Sequence, residues 1–247
     1  MTDLVYADFH CHIDLFPNPP EIIEFFEKNK IFIVAATTTP KAWKQNKKWT
    51  QNKTFIRPSL GLHPQLINSK HFDYDLFSKL INESIYIGEI GLDGSNDYLT
   101  TFEKQKHYYE KILDVISQHD NKILSIHSLR AVEDVLNGIK KYLYKSKNKY
   151  ILHWFTGTLK QSQQAINLNC YFSINHKMLS NSKGQELIKF LPLDKIVLES
   201  DAPFTIDKIN NSYYKSLIAN IAIIKSLSQD LVNKQIYKNS LQLMNLV

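Results

Sequence analysis

Short runs dense in Ile, Val, Phe and Tyr recur along the chain. Each is followed by a polar or Gly/Pro break and then by a stretch with helical spacing. The runs are VYADFHCHI (5–13), IFIVAATT (31–38), FIRPSLGLH (55–63), SIYIGEIGL (84–92), KILSIHS (122–128), KYILHWFT (149–156), YFSINH (171–176) and KIVLESD (195–201). Near-continuous apolar character marks strands buried on both faces. Between them, Asn18 before Pro19 and Thr39 before Pro40 read as N-caps followed by Pro at the first helical position. Within 101–119, Phe102, Tyr109, Ile112, Leu113 and Ile116 fall on one helical face. The stretches 212–225 and 229–246 continue the helical pattern. Eight strands alternating with helices predict a (β/α)8 barrel or a large doubly wound sheet. No GxGxxG follows the first strand, which weakens the dinucleotide-binding version. The expectation is an α/β fold, a (β/α)8 TIM barrel, forming a single domain over 1–247.

Composition agrees with that size class. A chain of 247 residues with 43% apolar and 12% aromatic residues can bury a large core, and it fits one barrel. No apolar run approaches the roughly 18 residues of a membrane span. The opening MTDLVYADFH lacks the basic-then-apolar blocks of a signal peptide. Two cysteines, Cys11 and Cys170, exclude a disulfide framework, and a cytoplasmic location is expected. The net charge of +6 suggests an anionic partner such as nucleic acid. Only Arg57 and Arg130 are arginines, however, so most of this charge reads as solvated lysine. The tracts KAWKQNKKW (41–49) and KKYLYKSKNKY (140–150) are the candidates for phosphate contact.

Position within each run carries the chemistry. His10 and His12 close the first strand, His63 the third and His127 the fifth. Glu89 lies near the end of the fourth with Asp93 just after it, His153 near the end of the sixth, and Asp201 follows the eighth. In a (β/α)8 barrel these ends share one rim, where barrel active sites are built. A lone histidine at a strand end is ordinary; the same level reached from separate strands is not. His71, His107 and His119 fall in helices or loops and read as surface or structural residues, and His176 is undecided. In His10-x-His12 the period of two places both imidazoles on one side and Cys11 on the other, as a buried apolar filler. Asp8 has the parity of the two histidines, so it is expected either to support one of their rings or to pack lower in the barrel.

So many ligand types exceed what one open catalytic ion needs, and they suit two divalent ions about 3.5–4 Å apart. The spacing assigns His10, His12 and Asp201 to one ion, His127 and His153 to the other, and Glu89 as the bridge. Mixed nitrogen and oxygen ligation suits Zn, Mn or Fe and suits Mg less well. Such a pair lowers the pKa of bound water and neutralises charge on a phosphoryl or carbonyl oxygen. Asp201 is expected to steer the nucleophile's proton, and His63, outside the ligand count, to contact substrate or protonate a leaving oxygen.

These residues resemble the TatD-type metal-dependent deoxyribonucleases of the amidohydrolase-like barrels, from about residue 5 to residue 204. DFHCHIDL resembles that family's opening histidine pair, GLHP its third-strand signature and IGEIGLD its glutamate motif. IHSLRA, LHWFTG and LESDAPF resemble the remaining histidine and aspartate motifs, in order. The resemblance implies a (β/α)8 barrel, two divalent ions (Zn, Mn or Mg) and hydrolysis of DNA phosphodiesters, often from the 3′ end. Divergent members of that family also occur in anti-phage defence, which adds protein partners in a defence complex to the expectation. Leu129 stands where the family usually has arginine, with Arg130 after it as the substrate-binding candidate. Trp154 stands where a small residue is common, placed to narrow the mouth or stack on a base. Ser200 replaces a common Thr, and FTIDKINNSYYK replaces an Arg-Asn-Glu-Pro segment. Two alternatives stay open: an amidohydrolase cleaving a C–N or ester bond of a small molecule, and a metal-folded subunit of a larger complex. The first often uses a carboxylated lysine after strand four, where this chain has Glu89 and no lysine nearby.

Overall fold

The computed structural model describes residues 4–244. Its eight strands are β1 (Tyr6–Cys11), β2 (Ile31–Ala35), β3 (Ile56–Pro58), β4 (Tyr86–Gly91), β5 (Ile123–His127), β6 (Lys149–Leu152), β7 (Tyr171–Ile174) and β8 (Ile196–Leu198). All paired neighbours are parallel, in the order β3-β2-β1-β8-β7-β6-β5-β4. The remaining seam is closed by one parallel bridge, Leu60 to Ile87. There Leu60 N–H donates to the Tyr86 carbonyl and Gly88 N–H donates to that of Leu60, both at 2.9 Å. The chain thus forms one α/β domain, a nearly closed (β/α)8 barrel.

Strand β3 is shorter than its apolar run. Pro58 has no amide to donate to a ladder, so the regular strand ends there; Ser59 N–H makes a last bond to the Ala35 carbonyl at 2.8 Å, and His63 lies in the loop beyond. Gly61 then lets the chain after β2 reach β4: Glu89 N–H donates to the Thr37 carbonyl at 2.9 Å. A Cβ on Gly61 would lie 1.6 Å from that carbonyl oxygen.

The outer layer comprises α1 (Pro19–Lys28), α2 (Pro40–Thr50), α3 (Tyr74–Leu80), α4 (Phe102–Ser117), α5 (Val132–Leu143), α6 (Leu159–Asn167), α7 (His176–Leu179), α8 (Ser182–Phe190), α9 (Asn211–Lys225) and α10 (Gln229–Leu243). Thr39 caps α2 as the sequence predicts, accepting from Ala42 N–H at 3.2 Å. Asn18 sits at the N-cap of α1 but its side chain makes no cap bond; its amide donates to Glu21 instead. In α4, Tyr109, Ile112, Leu113 and Ile116 are buried against the barrel while Phe102 is half-buried. The last helix ends at Leu243, and residues 245–246 of the expected helical tail lie outside the described residues.

Two apolar clusters result. The larger lies between strands and helices and includes Cys11, Ile33, Ile87, Ile90, Leu124, Leu198 and Tyr214. The smaller plugs the barrel interior with Ala7, Phe9, Phe32, Val34, Tyr86, Ile123, Ile151 and Val197. Both cysteines are free and fully buried. Burial pushes the Cys170 thiol up to about 12, so it packs as an apolar group.

Two strands depart from strict alternation. In β1, Asp8 pairs with Ile33 but Cys11 with Ala35, three residues against two. In β4, Ile87 pairs with Leu124 but Ile90 with Ile126. Each extra residue is a bulge that re-aims the side chain after it. In β1 the bulge places Phe9 in the inner cluster while His10 turns its Nε2 toward His12 and Glu89 above it.

Candidate metal centre

The β1 bulge corrects the expected parity of Asp8. Its carboxylate turns outward, where Oδ2 accepts from the Tyr214 hydroxyl of α9 at 2.8 Å. Oδ1 accepts from the backbone N–H of His10 at 3.0 Å and of Ser200 at 3.1 Å. Asp8 therefore holds the ends of β1 and β8 by their main chains and touches neither imidazole. Burial pushes its carboxyl up to about 7 against the pull of these donors.

His10, His12, His63, Glu89, His127, His153 and Asp201 are all brought together at the C-terminal mouth. Glu89 is central. Its Oε2 lies 3.5 Å from Nε2 of both His10 and His12. Its Oε1 lies 2.8 Å from His127 Nδ1, 3.0 Å from His153 Nε2 and 3.1 Å from His63 Nε2. Asp201 Oδ1 adjoins the first group, 3.8 Å from His10 Nε2 and 3.6 Å from His12 Nε2. His10 and His12 bring their Nε2 atoms within 3.1 Å of each other. The His10 and His153 rings stack at 3.9 Å.

Partners on the outer side of each ring decide which nitrogen keeps its proton. His127 lies between two carboxylates, Nε2 donating to Asp93 Oδ2 at 3.0 Å and Nδ1 meeting Glu89 Oε1 at 2.8 Å. His10 Nδ1 pairs with the Ser125 hydroxyl at 2.7 Å, leaving Nε2 bare. His153 Nδ1 faces Glu199 Oε2 at 3.5 Å, with Nε2 toward Glu89. His63 is reversed: its Nδ1 accepts from Gln65 N–H at 3.2 Å, so Nε2 carries the proton. His63, Glu89 and His127 converge closely enough to hold an ion, yet that tautomer makes His63 a donor. His12 Nδ1 is buried without a partner.

Electrostatics favour bound cations. Glu89, Glu199 and Asp201 are buried, and their partners are imidazoles, hydroxyls and amides. Burial opposes ionisation of Glu89, but the surrounding His63 and His153 hold it well below the usual carboxylate range. Burial pushes Asp201 up to about 7, with His153 and His12 opposing. Burial, then stacked His153, drives the His10 pKa far down, so this ring is neutral and its lone pair free. Burial opposes charge on His12, His127 and His153, but Glu89 and its neighbouring carboxylates raise all three above the ordinary imidazole range. Protons thus occupy the gaps between rings and carboxylates, and a divalent cation that displaces them fits on either side of Glu89.

A cavity of about 660 Å³ opens above the cluster, with Glu89, His63, His127, His153 and Asp201 in its wall. Comparison with known proteins places this arrangement. The sequence profile of TatD-related DNases matches residues 7–245. The chain belongs to the TatD-related DNase family. It is 29% identical over 126 residues to the deoxyribonuclease Tat-D of Schizosaccharomyces pombe; that alignment covers 51% of this chain and 40% of the yeast protein. It is 26% identical to an uncharacterized metal-dependent hydrolase of Methanocaldococcus jannaschii across 97% of each chain. The fold matches the crystal structure of a TatD homologue from Escherichia coli K12 with a TM-score of 0.84, at 20% identity and 98% coverage of both chains. The buried His, Glu and Asp clusters of this TatD-family chain are of the kind a metal site needs.

Around the TatD centre, Trp154 lines the cavity, as does Leu129. Arg130 does not: it is exposed, and its guanidinium donates to Asn96 at 3.1 Å. His71 and His107 are exposed and His119 half-buried, all away from the cluster. His176 opens α7 beside Tyr213. Three residues behind the rings were given no role in the sequence: Asp93, Ser125 and Glu199. Asp93 and Glu199 lie in the GEIGLD and LESD segments, so their acidity at strand ends was a usable signal; Ser125 offered none. Among the described residues, no helix is long and apolar enough to cross a membrane.

Proposed function

We propose that this protein hydrolyses phosphodiester bonds of DNA with two divalent ions, His10, His12 and Asp201 holding one, His127 and His153 the other, and Glu89 bridging them. The observation that carries this reading is the division of the Glu89 carboxylate, one oxygen toward each group of imidazoles. Membership of the TatD family supports DNA as the substrate class. When bound, the ions activate water at neutral pH and neutralise charge on the phosphoryl group. Asp201, in the cavity wall beside His10 and His12, would accept the attacking water's proton. His63, a neutral ring in the cavity wall whose Nε2–H lies 3.1 Å from Glu89 Oε1, would contact the substrate by a hydrogen bond to the leaving oxygen. Burial holds the His63 pKa low, so the ring is neutral and Gln65 keeps its donor tautomer.

Metal-free protein is to be loaded separately with Mg, Mn and Zn and incubated with end-labelled single-stranded DNA. Cleavage that stops with chelator is expected. Turnover of a small ester or amide with no cleavage of DNA under any ion would replace this reading with an amidohydrolase.

A further inference from the structure

The cavity above the centre is walled by side chains that a phosphate track does not use. Trp154, Phe204, Leu129 and Leu15 line it, and among the described residues no lysine or arginine does. Phe204 is 63% exposed, Leu15 44% and Leu129 37%. They belong to the loops after β8, β1 and β5, so the apolar surface rings the C-terminal mouth. An apolar rim around a polar centre marks a surface that covers apolar ligand area.

The lysine tracts do not line the cavity, although Lys41 opens α2 at the mouth end of the barrel. Lys140 and Lys141 end α5, and Lys145 and Lys147 lead into β6, on the face opposite the mouth. Lys47 and Lys48 close α2 at that same far end. Lysines there complement helix C-termini, which accounts for them without a ligand.

Two rim groups are held as platforms. Trp154 adopts φ +39°, a left-handed conformation costly for a bulky residue. Its backbone N–H donates to Glu199 Oε1 at 3.0 Å, which ties its main chain to the carboxylate behind His153. The Phe204 ring stands edge-on to His12 with centroids 5.2 Å apart, directly beside the ligand cluster.

We infer that Trp154 and Phe204 form a base-stacking subsite, so that the substrate is held at the mouth by its nucleobases and not by a row of cations on its phosphates. This rests on the phosphodiesterase reading and specifies its substrate: nucleic acid whose terminal bases are unpaired and free to stack on aromatic rings. It also gives such binding an unusual signature. Stacking is indifferent to salt, whereas phosphate neutralisation is not.

Steady-state kinetics on a single-stranded oligonucleotide, with the metal-loaded protein, test it. Trp154→Ala and Phe204→Ala are each expected to raise KM about tenfold, with kcat affected far less. The wild-type dependence of log KM on log salt is expected near one, where six phosphate contacts would give roughly four. A steep salt dependence with both variants at wild-type KM would overturn the subsite. A second measurement is independent of cleavage: quenching of tryptophan fluorescence by deoxyadenosine monophosphate. Quenching that is lost in Trp154→Phe supports the subsite, and absence of quenching in the wild type overturns it. If no oligonucleotide is cleaved with Mg, Mn or Zn, the phosphodiesterase reading fails, and the quenching result alone decides the subsite.

Discussion

Asp93 accepts from His127 on the side of the ring opposite Glu89, its Oδ2 lying 3.0 Å from Nε2. The same oxygen accepts from the Gln65 amide at 2.7 Å, and Oδ1 accepts from Ser95 N–H at 2.8 Å. Burial opposes its charge, but these donors hold the carboxyl well below its ordinary range. A carboxylate so placed holds a proton on Nε2, so a cation bound at Nδ1 would displace only the proton shared with Glu89. Asp93→Ala is expected to weaken metal binding about 10–100-fold while the barrel stays folded. Competition with a fluorescent chelator measures the affinity, and circular dichroism the fold. Wild-type affinity in this variant would remove Asp93 from the metal-supporting shell.

Glu89 serves both groups of imidazoles, so its loss differs from loss of a peripheral ligand. Glu89→Gln keeps size and shape but removes the charge between the rings. Its kcat is expected to fall by at least about 10³-fold. Metal content by mass spectrometry should fall from two ions toward one or none per chain. His12→Ala is expected to deplete only the ion beside Asp201. Equal depletion by both variants would contradict a bridging role.

Much of this centre was legible because a β-rich run announces its strand and a (β/α)8 barrel gathers strand ends at one rim. His10, His127 and His153 could be placed from their runs alone. What escaped depends on single-residue register. The bulge in β1 reverses the side of Asp8, and period-two counting has no means of seeing an inserted residue. The rim position of Arg130 likewise depends on loop geometry, since it adopts φ +52° and pairs with Asn96. Its left-handed backbone leaves Leu129 in the cavity wall.

The outward turn of Asp8 has a stability consequence. Its three donors, two backbone amides and the Tyr214 hydroxyl, are buried with it. Asp8→Ala strands these donors and is expected to destabilise the protein by about 2–4 kcal/mol. Asp8→Asn keeps an acceptor for the amides and is expected to cost less. Chemical denaturation of metal-free protein separates this from ligand loss. Equal stability of Asp8→Ala and wild type would show that β1 and β8 are held by other contacts.

Gly61 lies at the seam between the β3 run and β4, where the chain after β2 also reaches β4. A methyl group there would meet the Thr37 carbonyl oxygen at 1.6 Å and Glu89 N at 2.8 Å. Both belong to main chain that also carries the Glu89–Thr37 hydrogen bond, so neither can yield by turning a side chain. Gly61→Ala is expected to cost more than about 3 kcal/mol and to displace Glu89, lowering metal affinity together with the melting temperature. Gly138 in α5 is the contrast. Its methyl would meet the ends of Leu113 and Tyr109 at 2.8 Å, side chains that can shift. There a gain in helix propensity of about 1 kcal/mol offsets part of the crowding, so the loss should be smaller and metal affinity unchanged. Thermal melts and chelator competition on the two variants compare them directly. A Gly61→Ala protein with wild-type melting temperature and metal content would mean that the seam does not fix Glu89.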